Sequence, residues 1–553
     1  MPTKYFRFYK DAIAIGALLA LIAAFFHTLP AGYWRADDPA LLLHALQSEG
    51  LRAFYDPFDW QKISTSNLTP WLIFSFKTDI AIAGLQPKFF YLHSLLLLAL
   101  VTTAAYGLAR MWLVPVWAFL ASVLFLVGAP TASVTELLMT RHYMEGLFFA
   151  LLSSTAFVYA VRRQNILWAV AGALLYALAA TAKEIYVPLV LVLPLIPPIG
   201  RMAERLRLAS PYIAVAALYV AWRHYMLGSM VGGYVDSQSL VSMQSATKML
   251  AAIGQFPSYF FGSHWVFPIF LLGCVWIVAA LMKPRSIPVF MTLAVCTIGP
   301  LIPLASFPGI SGPDRYLFLL WFVVSFTTVF AIHTLTNGLV NAKGSQLAFP
   351  AGIATTLFLL IFSFSNESVM QKQRSAMQQE FDVQGRFYYQ MDDSKTFVPT
   401  PALLASYWYV TSLCKIKKLL AMQCPVALIQ GLPQEKAVGH LYAYDADQGT
   451  MSELLGSHFD ERILFMRMNT TKPLSAALSI VQGWGRWQLG PHTDGQYYFA
   501  SESLGRFPVS RQGVLRTPLT DLSLYIHYES PEGWTTSSPL LAVSTDRAIS
   551  WSR

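Results

Sequence analysis

Charged residues are scarce in this chain. Asp, Glu, Lys and Arg make up 12% of its 553 residues, whereas they make up about 25% of an average soluble domain. Hydrophobic residues account for 55%, and the mean hydropathy is +0.47. This composition excludes a single soluble domain. The apolar residues form blocks of about 20, the helix length that crosses a hydrocarbon core of about 30 Å. The sequence therefore predicts a polytopic α-helical membrane protein with the lipid bilayer as a partner.

Cysteine is also scarce, with four in the chain. The sequence contains no Cys-x-x-Cys pair and no histidine-rich cluster, which argues against a zinc or redox centre. Cys274 and Cys296 lie inside apolar blocks, as small core residues do. Cys414 and Cys424 lie ten positions apart in a polar C-terminal region. We expect them to form a disulfide if that region lies outside the cytosol.

Long basic runs interleaved with aromatic residues are missing, although the net charge is +9. The basic residues lie mostly in short loops between apolar blocks, where they set the orientation of a membrane protein. We therefore expect no nucleic-acid partner.

Eleven apolar blocks predict about 11 transmembrane helices. Leu29-Pro30-Ala31 after the first block resembles a signal-peptide cleavage region, but the long apolar stretch and the later blocks favour a retained anchor. The predicted spans are 11–29, 88–109, 112–130, 143–161, 166–182, 185–199, 208–227, 264–282, 286–305, 316–336 and 347–365.

The loop charges give these spans an orientation. With the N-terminus in the cytosol, every cytosolic loop contains Lys or Arg, as the positive-inside rule requires. The external parts are then the first loop 30–87, turns near 131–142 and 183–184, the loop 228–263, the turn 306–315 and the C-terminal region. We predict a membrane domain over 1–365 and a soluble, extracytoplasmic β-rich or α/β domain over 366–553, because short alternating strands follow residue 440.

Two adjacent carboxylates, Asp37 and Asp38, lie just outside the first span. Asp38 precedes Pro39 and fits the N-cap of a helix. Capping does not explain Asp37, and a carboxylate at the membrane boundary is suited to take a proton from an acceptor hydroxyl.

The turn after the third span contains Glu136, Arg141 and His142. Charges at membrane depth are costly and are usually paired or functional. Glu136 and Arg141 form a structural ion pair in one interpretation; in the other, Arg141 and His142 line a cavity for a polar ligand.

Two further external turns present cations. Lys183 and Glu184 form one turn, which is either a neutralised pair or a phosphate-binding lysine. The other turn contains Asp314, Arg315 and Tyr316. Arg315 is suited to bind phosphate oxygens in a bidentate manner; in the alternative interpretation, Arg315 and Tyr316 anchor the chain at the membrane interface. The topology places all these charges on one side, where they suit a membrane-held phosphate donor and an activated nucleophile.

These motifs together resemble the GT-C class of integral-membrane glycosyltransferases. The sequence is most similar to bacterial relatives of the transmembrane and tetratricopeptide-repeat mannosyltransferases, over roughly residues 10–340. The resemblance lies in Asp37-Asp38, Leu68-Thr69-Pro70-Trp71, Gly84, Pro87, Phe89, Phe90, His93, Phe125 through Pro130, Glu136, Arg141, Lys183-Glu184 and Asp314-Arg315-Tyr316-Leu317. The chain departs from that family because it has no tetratricopeptide repeats.

The resemblance implies inverting transfer of a sugar from a polyprenyl-phosphate sugar to a glycan, lipid or protein acceptor outside the cytosol. Asp37 would be the base and Asp38 its support. Lys183 and Arg315, with Arg141, would hold the donor phosphate, and Glu136, His142, Glu184, Asp314 and Tyr316 would line the pocket. Some members of the class use a divalent metal, Mg²⁺ or Mn²⁺, which here would fall to Asp37 or Asp38. The expected location is a bacterial inner membrane, with the site facing the periplasm.

Two rival functions remain at this point. A ligase or polymerase using a pyrophosphate-linked donor would call for longer late external loops. A transporter or lipid flippase would place ionisable residues near the midplane and often has repeated halves. The aromatic residues of the C-terminal region have two interpretations: they belong to a hydrophobic core, or they stack on sugars. They are Trp484, Trp487, Tyr497, Tyr498 and Trp534.

Overall fold

A computed structural model describes most of the chain. The described residues are 2–196, 201–230, 253–284, 287–301, 313–343, 346–400, 403, 408–428, 440–454, 471–481, 484–501, 505–516, 521–545 and 548–553. Most of the expected external loop 228–263 and of the turn 306–315 lies outside them. The described chain forms a helical bundle followed by a C-terminal β-rich region, the fold class that the sequence predicts.

Among the described residues of the bundle and its extension, we number 17 helices in chain order. They are α1 (Pro2–Phe26), α2 (Asp38–Gln47), α3 (Arg52–Tyr55), α4 (Pro57–Gln61), α5 (Pro70–Ala83), α6 (Pro87–Ala109), α7 (Pro115–Leu126), α8 (Ala129–Glu136), α9 (Arg141–Arg163), α10 (Ile166–Ala182), α11 (Leu189–Val192), α12 (Met202–Leu227), α13 (Val266–Met282), α14 (Ile287–Ile298), α15 (Phe318–Lys343), α16 (Ala348–Gln390) and α17 (Tyr409–Leu419).

Apolar helices make this a multi-pass membrane protein. Within the described residues, five helices are long and apolar enough to cross a bilayer, and seven if each of two bent pairs counts as one span. Three more of the eleven expected spans correspond to shorter apolar helices, Ile166–Ala182, Glu184–Leu195 and Ile287–Leu301. The described part of the stretch 185–199 consists of short helical turns around Pro188 and Pro194, since proline has no N–H to continue a helix. Within the described residues, fewer helices than the 11 expected spans are therefore long enough to cross a bilayer without interruption.

The predicted third span, 112–130, is also not one straight helix. Helices α7 and α8 meet at a 60° bend, with Gly128 at the junction and Pro130 in the first turn of α8. The indole of Trp321 on α15 packs against Gly128, and its Nε1 donates a hydrogen bond to the Phe125 carbonyl at 3.0 Å. The bend leaves that carbonyl without its helical partner, and both the Trp321 indole and the Thr131 hydroxyl, which donates at 2.6 Å, replace it.

Helix α16 continues well past the membrane. Its 43 residues extend over about 65 Å at 1.5 Å per residue, roughly twice the hydrocarbon thickness. The expected domain boundary between residues 365 and 366 lies inside this one helix.

A small α/β unit follows α16. Strands β1 (Lys395–Val398), β2 (Val426–Ala427), β3 (His440–Asp445) and β4 (Thr450–Glu453) form a sheet in the order β2-β1-β3-β4. β1 is parallel to β2 and β3, while β3 and β4 are antiparallel. Helix α17 packs beside α2, and a disulfide joins Cys414 in α17 to Cys424.

The last part of the chain is an antiparallel β-sandwich. One sheet contains β5 (Ser475–Val481), β6 (Trp484–Gly490), β9 (Gln512–Arg516) and β13 (Ile549–Ser552); the other contains β7 (Gln496–Ser501), β8 (Gly505–Val509), β10 (Asp521–Glu529), β11 (Thr535–Ser537) and β12 (Leu541–Ser544). Alternate residues of both sheets share one core.

The tail aromatics lie mostly inside this sandwich. The Trp487 ring centroid lies 5.4 Å from that of Phe499, and Tyr528 packs against both Tyr497 at 4.8 Å and Trp534 at 5.4 Å. These rings serve the core rather than a sugar platform. Trp484 lies on the opposite face of β6 from Trp487, as strand alternation requires.

Replacing Gly128 tests the packing at the α7–α8 bend. A Cβ at this position would lie 2.0 Å from Nε1 of Trp321, so Gly128→Ala must displace the indole. We expect the unfolding free energy to fall by about 1–3 kcal/mol, measured by thermal unfolding in detergent micelles. Gly107→Ala in α6 is the matched control, because nothing lies within 4 Å of its added Cβ. Equal melting of Gly128→Ala and the wild type would contradict this account of the bend.

Candidate active site

The two adjacent carboxylates after α1 face different surroundings. Asp38 is fully buried, and its two oxygens accept backbone hydrogen bonds from Arg35 and Met139, both at 2.8 Å. Burial raises the pKa of Asp38 to about 7, while these hydrogen bonds and the charge of Arg35 act against the rise. Asp38 thus connects the segment to the turn before α9, and the expectation that it is an N-cap is wrong. The N-cap position belongs to Asp37, whose side chain makes no capping bond.

The surroundings of Asp37 differ from those of Asp38. The Asp37 side chain is exposed and, among the described residues, makes no hydrogen bond or ion pair. Protein nevertheless surrounds the carboxylate closely enough that desolvation raises its pKa, with the charge of Arg315 opposing the shift. A group that is open to solvent yet largely surrounded by protein lies in a recess. The raised pKa suits a general base, which works best when its pKa approaches the operating pH.

Lys183 lies at the end of α10, where the chain turns into the short helix Glu184–Tyr186. Its side chain is 8% exposed, and its Nζ lies 4.9 Å from the centre of the Tyr143 ring. Burial lowers the pKa of Lys183 to about 8; the charge of Glu184 opposes this and that of Arg315 adds to it. No carboxylate of the described chain forms an ion pair with Lys183.

The neighbouring Glu184 does not neutralise this lysine directly. Its carboxylate accepts hydrogen bonds from Arg223 Nε at 3.1 Å and from the Leu68 backbone N–H at 2.8 Å. Glu184 therefore connects α12 to the end of the first loop. The alternative in which Lys183 and Glu184 form an ion pair with each other is wrong. The Glu184 carboxylate is instead bound to Arg223 and to the Leu68 backbone.

Arg315 enters from the turn Pro313–Leu317 before α15. Its guanidinium lies 5.0 Å from the centre of the Tyr316 ring, and Nη2 donates to the Tyr316 hydroxyl at 3.3 Å. Its charge acts on Asp37, on Lys183 and on His142. Within the part of the chain that is described, it has no carboxylate in ion-pair contact. The side chain of Asp314 lies outside the described atoms.

His142 completes this group. It is 8% exposed at the start of α9, its ring centre lies 4.8 Å from that of Tyr143, and it feels the charges of Lys183 and Arg315. We call Asp37, His142, Lys183 and Arg315 the charged cluster. Four elements far apart in sequence bring these side chains to one end of the bundle.

Arg141 is not part of this cluster. It is fully buried, its Nη1 donates to the Asp79 carboxylate, and its guanidinium lies 4.9 Å from the centre of the Phe76 ring. Asp79 also bonds to Nδ1 of His93 at 2.7 Å. Unlike Lys183 and Arg315, Arg141 therefore has a counter-charge within the described chain. A lone carboxylate in an apolar helix was the sequence signal for its partner Asp79.

Glu136 also has other partners than expected. Its carboxylate accepts hydrogen bonds from Arg374 Nε at 2.8 Å and Gln378 Nε2 at 2.7 Å, both on α16. The interpretation as a Glu136–Arg141 ion pair is wrong, because a short turn separates α8 from α9 and directs the two side chains to different neighbours.

Few of the described side chains near Asp37 could coordinate a metal ion. Among the described residues, no group of three His, Cys, Asp or Glu side chains is placed to hold an ion. Both oxygens of Asp38 are already engaged, which leaves Asp37 as the carboxylate of the cluster. These residues do not fit a Mg²⁺ or Mn²⁺ site, and no step below runs through a metal.

An apolar cavity of about 240 Å³ lies next to the cluster, between α6, α9, α14 and α15. Ile185, two residues after Lys183, and Leu319, four residues after Arg315, both line it. Leu147, Leu151 and Phe326 contribute to its walls. The cavity thus begins within about one helical turn of both cations, since four residues rise about 6 Å.

Comparison with known proteins gives limited help. No protein-family model and no curated protein matches the sequence. Among solved structures, the chain is similar to the Archaeoglobus fulgidus oligosaccharyltransferase in complex with Zn and sulfate (14% identity, TM-score 0.41, 74% of this chain and 62% of that one). It is also similar to the oligosaccharyltransferase AglB of that organism with an inhibitory peptide and a dolichol-phosphate (12%, TM-score 0.45, 92% and 74%). These TM-scores are too low for any function to follow from the likeness.

The buried Asp79–Arg141 pair makes a prediction about stability. Asp79→Asn keeps the shape but leaves the Arg141 cation buried without its counter-charge, which typically costs about 3–5 kcal/mol. We expect a clear fall in melting temperature in detergent. The double variant Asp79→Asn/Arg141→Met removes the stranded charge and should recover part of the loss. Wild-type melting of the single variant would show that the pair contributes little.

Proposed function

We propose that this protein is a GT-C-type membrane glycosyltransferase that moves a monosaccharide from a polyprenyl-phosphate sugar to an acceptor hydroxyl. One observation carries the proposal. Arg315 interacts electrostatically with both Asp37 and Lys183, and none of these three residues has an ion-pair partner among the described residues. Buried or recessed charges without partners are costly and therefore mark sites that bind a charged ligand.

The two cations suit the donor's phosphate. Arg315 presents a planar fork for two phosphate oxygens, and Lys183 adds a point charge. The apolar cavity that begins at Ile185 and Leu319 suits the first isoprene units of the lipid. A phosphate held at the mouth of an apolar cavity is the arrangement that a lipid phosphate requires.

Asp37 supplies the proton acceptor. In the proposed step, the acceptor oxygen attacks the anomeric carbon as the bond from that carbon to the phosphate oxygen breaks. The proton of the acceptor hydroxyl passes to Asp37, and the electron pair of the broken bond remains on the departing polyprenyl phosphate. Lys183 and Arg315 stabilise the negative charge that grows on the phosphate, which is the usual contribution of fixed cations to such a transition state. Attack from the face opposite the leaving group inverts the sugar.

The sidedness of the site follows from the loop charges. The positive-inside rule places the cluster and the C-terminal region on the outer side, and a disulfide between Cys414 and Cys424 suits an oxidising compartment. We therefore assign the protein to a bacterial inner membrane, with the site facing the periplasm. The acceptor is an envelope glycan, a lipopolysaccharide or a protein.

A transporter or flippase fits the arrangement less well. A transport path for a sugar or an ion needs polar groups near the membrane midplane. The cavity beyond the charged cluster is lined almost wholly by apolar side chains such as Leu147, Phe290 and Phe326. This lining suits a lipid chain and offers a hydrophilic cargo few partners.

Replacing the proposed base tests the assignment. Asp37→Asn keeps the side-chain shape but cannot take a proton, so we expect transfer from a panel of polyprenyl-phosphate hexoses to fall by at least about 100-fold. Binding of undecaprenyl phosphate in nanodiscs should stay near the wild-type value. Asp56→Asn in the same external loop is the matched control, because asparagine also caps the helix that Asp56 begins. Full transfer by Asp37→Asn would refute the base; consumption of pyrophosphate-linked donors alone would favour the ligase or polymerase.

The lowered pKa of Lys183 predicts an alkaline limb. The lysine is charged below its pKa of about 8 and loses its proton as the pH rises through that value. We therefore expect kcat/KM to decline above about pH 8, because this parameter reports the free enzyme. Lys183→Arg retains its charge at all accessible pH values, so its kcat/KM should stay level there. An unchanged alkaline limb in Lys183→Arg would mean that another group titrates.

A further inference from the structure

We propose that Asp382, on the part of α16 that extends beyond the membrane, is a positioning residue that holds Asp37 in place through Arg35. The inference rests on the proposed function, since it assigns Asp37 as the base. It gives the extramembrane helix a role in the reaction in addition to its role as a connector to the C-terminal region.

The contact between Asp382 and Arg35 is bidentate. Arg35 Nε donates to one carboxylate oxygen at 2.8 Å and Nη2 to the other at 2.7 Å. Asp382 also accepts the backbone N–H of Tyr33 at 2.9 Å. Arg35 is only 5% exposed, and its remaining nitrogen, Nη1, donates to the Glu136 carbonyl at 3.0 Å. A planar fork matched by a carboxylate fixes direction as well as distance.

Helix α16 presents a whole stripe of such contacts. Its members are spaced four residues apart and lie along one slowly winding face of the helix. Arg374 and Gln378 bond to Glu136, Asp382 bonds to Arg35, and Arg386 bonds to the Ala31 carbonyl. The stripe holds both the end of α8 and the segment that follows α1.

The segment between these anchors is conformationally unusual. Ala36 lies between Arg35 and Asp37 and has a φ of +47°, a left-handed conformation that residues with a Cβ rarely adopt. Asp38 fixes the segment on the other side by its bonds to Arg35 and Met139. Such a conformation persists only where its surroundings impose it. Loss of the Asp382 contact would release one of the two anchors and let the Asp37 carboxylate move away from the acceptor.

The test compares Asp382→Asn with Asp382→Glu in the full-length protein, in proteoliposomes supplied with the polyprenyl-phosphate hexose that the wild type consumes. Asp382→Asn removes the charge, and we expect kcat to fall about 10- to 100-fold, since a displacement near 1 Å has that effect. KM for the donor and the alkaline limb should not change, because Lys183 and Arg315 keep their places. Asp382→Glu keeps a carboxylate for the fork and should recover much of kcat. The exposed Asp393, just beyond α16, provides the matched control Asp393→Asn.

Two results would overturn the inference. In one, Asp382→Asn keeps full kcat while Asp37→Asn is inactive, so that the base needs no such anchor. In the other, kcat, donor KM and melting temperature all change together in Asp382→Asn and the glutamate variant restores none of them, which indicates a purely structural role. Failure of the proposed function is separate, because in that case the wild type itself consumes no polyprenyl-phosphate sugar.

Discussion

The cost of removing a charge from water governs this molecule. A charged side chain at membrane depth must find a counter-charge, a hydrogen-bonding partner or a ligand. Most of the described charges at the Asp37 end of the bundle have such a partner within the chain. Arg141 bonds to Asp79, Glu184 to Arg223, Glu136 to Arg374, and Arg35 to Asp382. Against this background, the missing ion-pair partners of Asp37, Lys183 and Arg315 among the described residues become informative.

The sequence located these three residues but could not separate them from their neighbours. Loop charges and hydropathy placed Asp37, Lys183, Arg315 and Arg141 on one side of the membrane with equal weight. Pairing distinguishes them, and pairing depends on residues that are remote in sequence. Asp79 lies 62 positions before Arg141, and Arg374 lies 238 positions after Glu136. No local pattern indicates which carboxylate such a cation will meet.

The fold was predicted in outline for a similar reason. Hydropathy finds apolar segments because the bilayer requires them, and a helix or a set of short helices occupies the described part of each predicted span. It does not show where a segment bends, because a bend is stabilised from outside, as Trp321 of α15 does for the Phe125 carbonyl. Alternating strands correctly predicted the β-rich C-terminal region. They also explain why the tail aromatics, which suggested sugar stacking, mostly point into its core: every second residue of a strand faces the other sheet.

Helix α16 makes the membrane part and the C-terminal region mechanically dependent on each other. One uninterrupted helix packs in the bundle, carries the polar stripe that holds the Asp37 segment, and then leads into the α/β unit, where Tyr388 contacts Phe397 of β1. Helix α17 of that unit adds a second link, because the Tyr409 hydroxyl donates to the Trp34 carbonyl at 2.7 Å. Helices α16 and α17 therefore contact the segment that contains Asp37, and Met139 of the bundle contacts the same segment through Asp38. A rigid helix transmits displacement along its axis. A ligand that moved the C-terminal region would therefore also move, through α16, the backbone segment that contains Asp37.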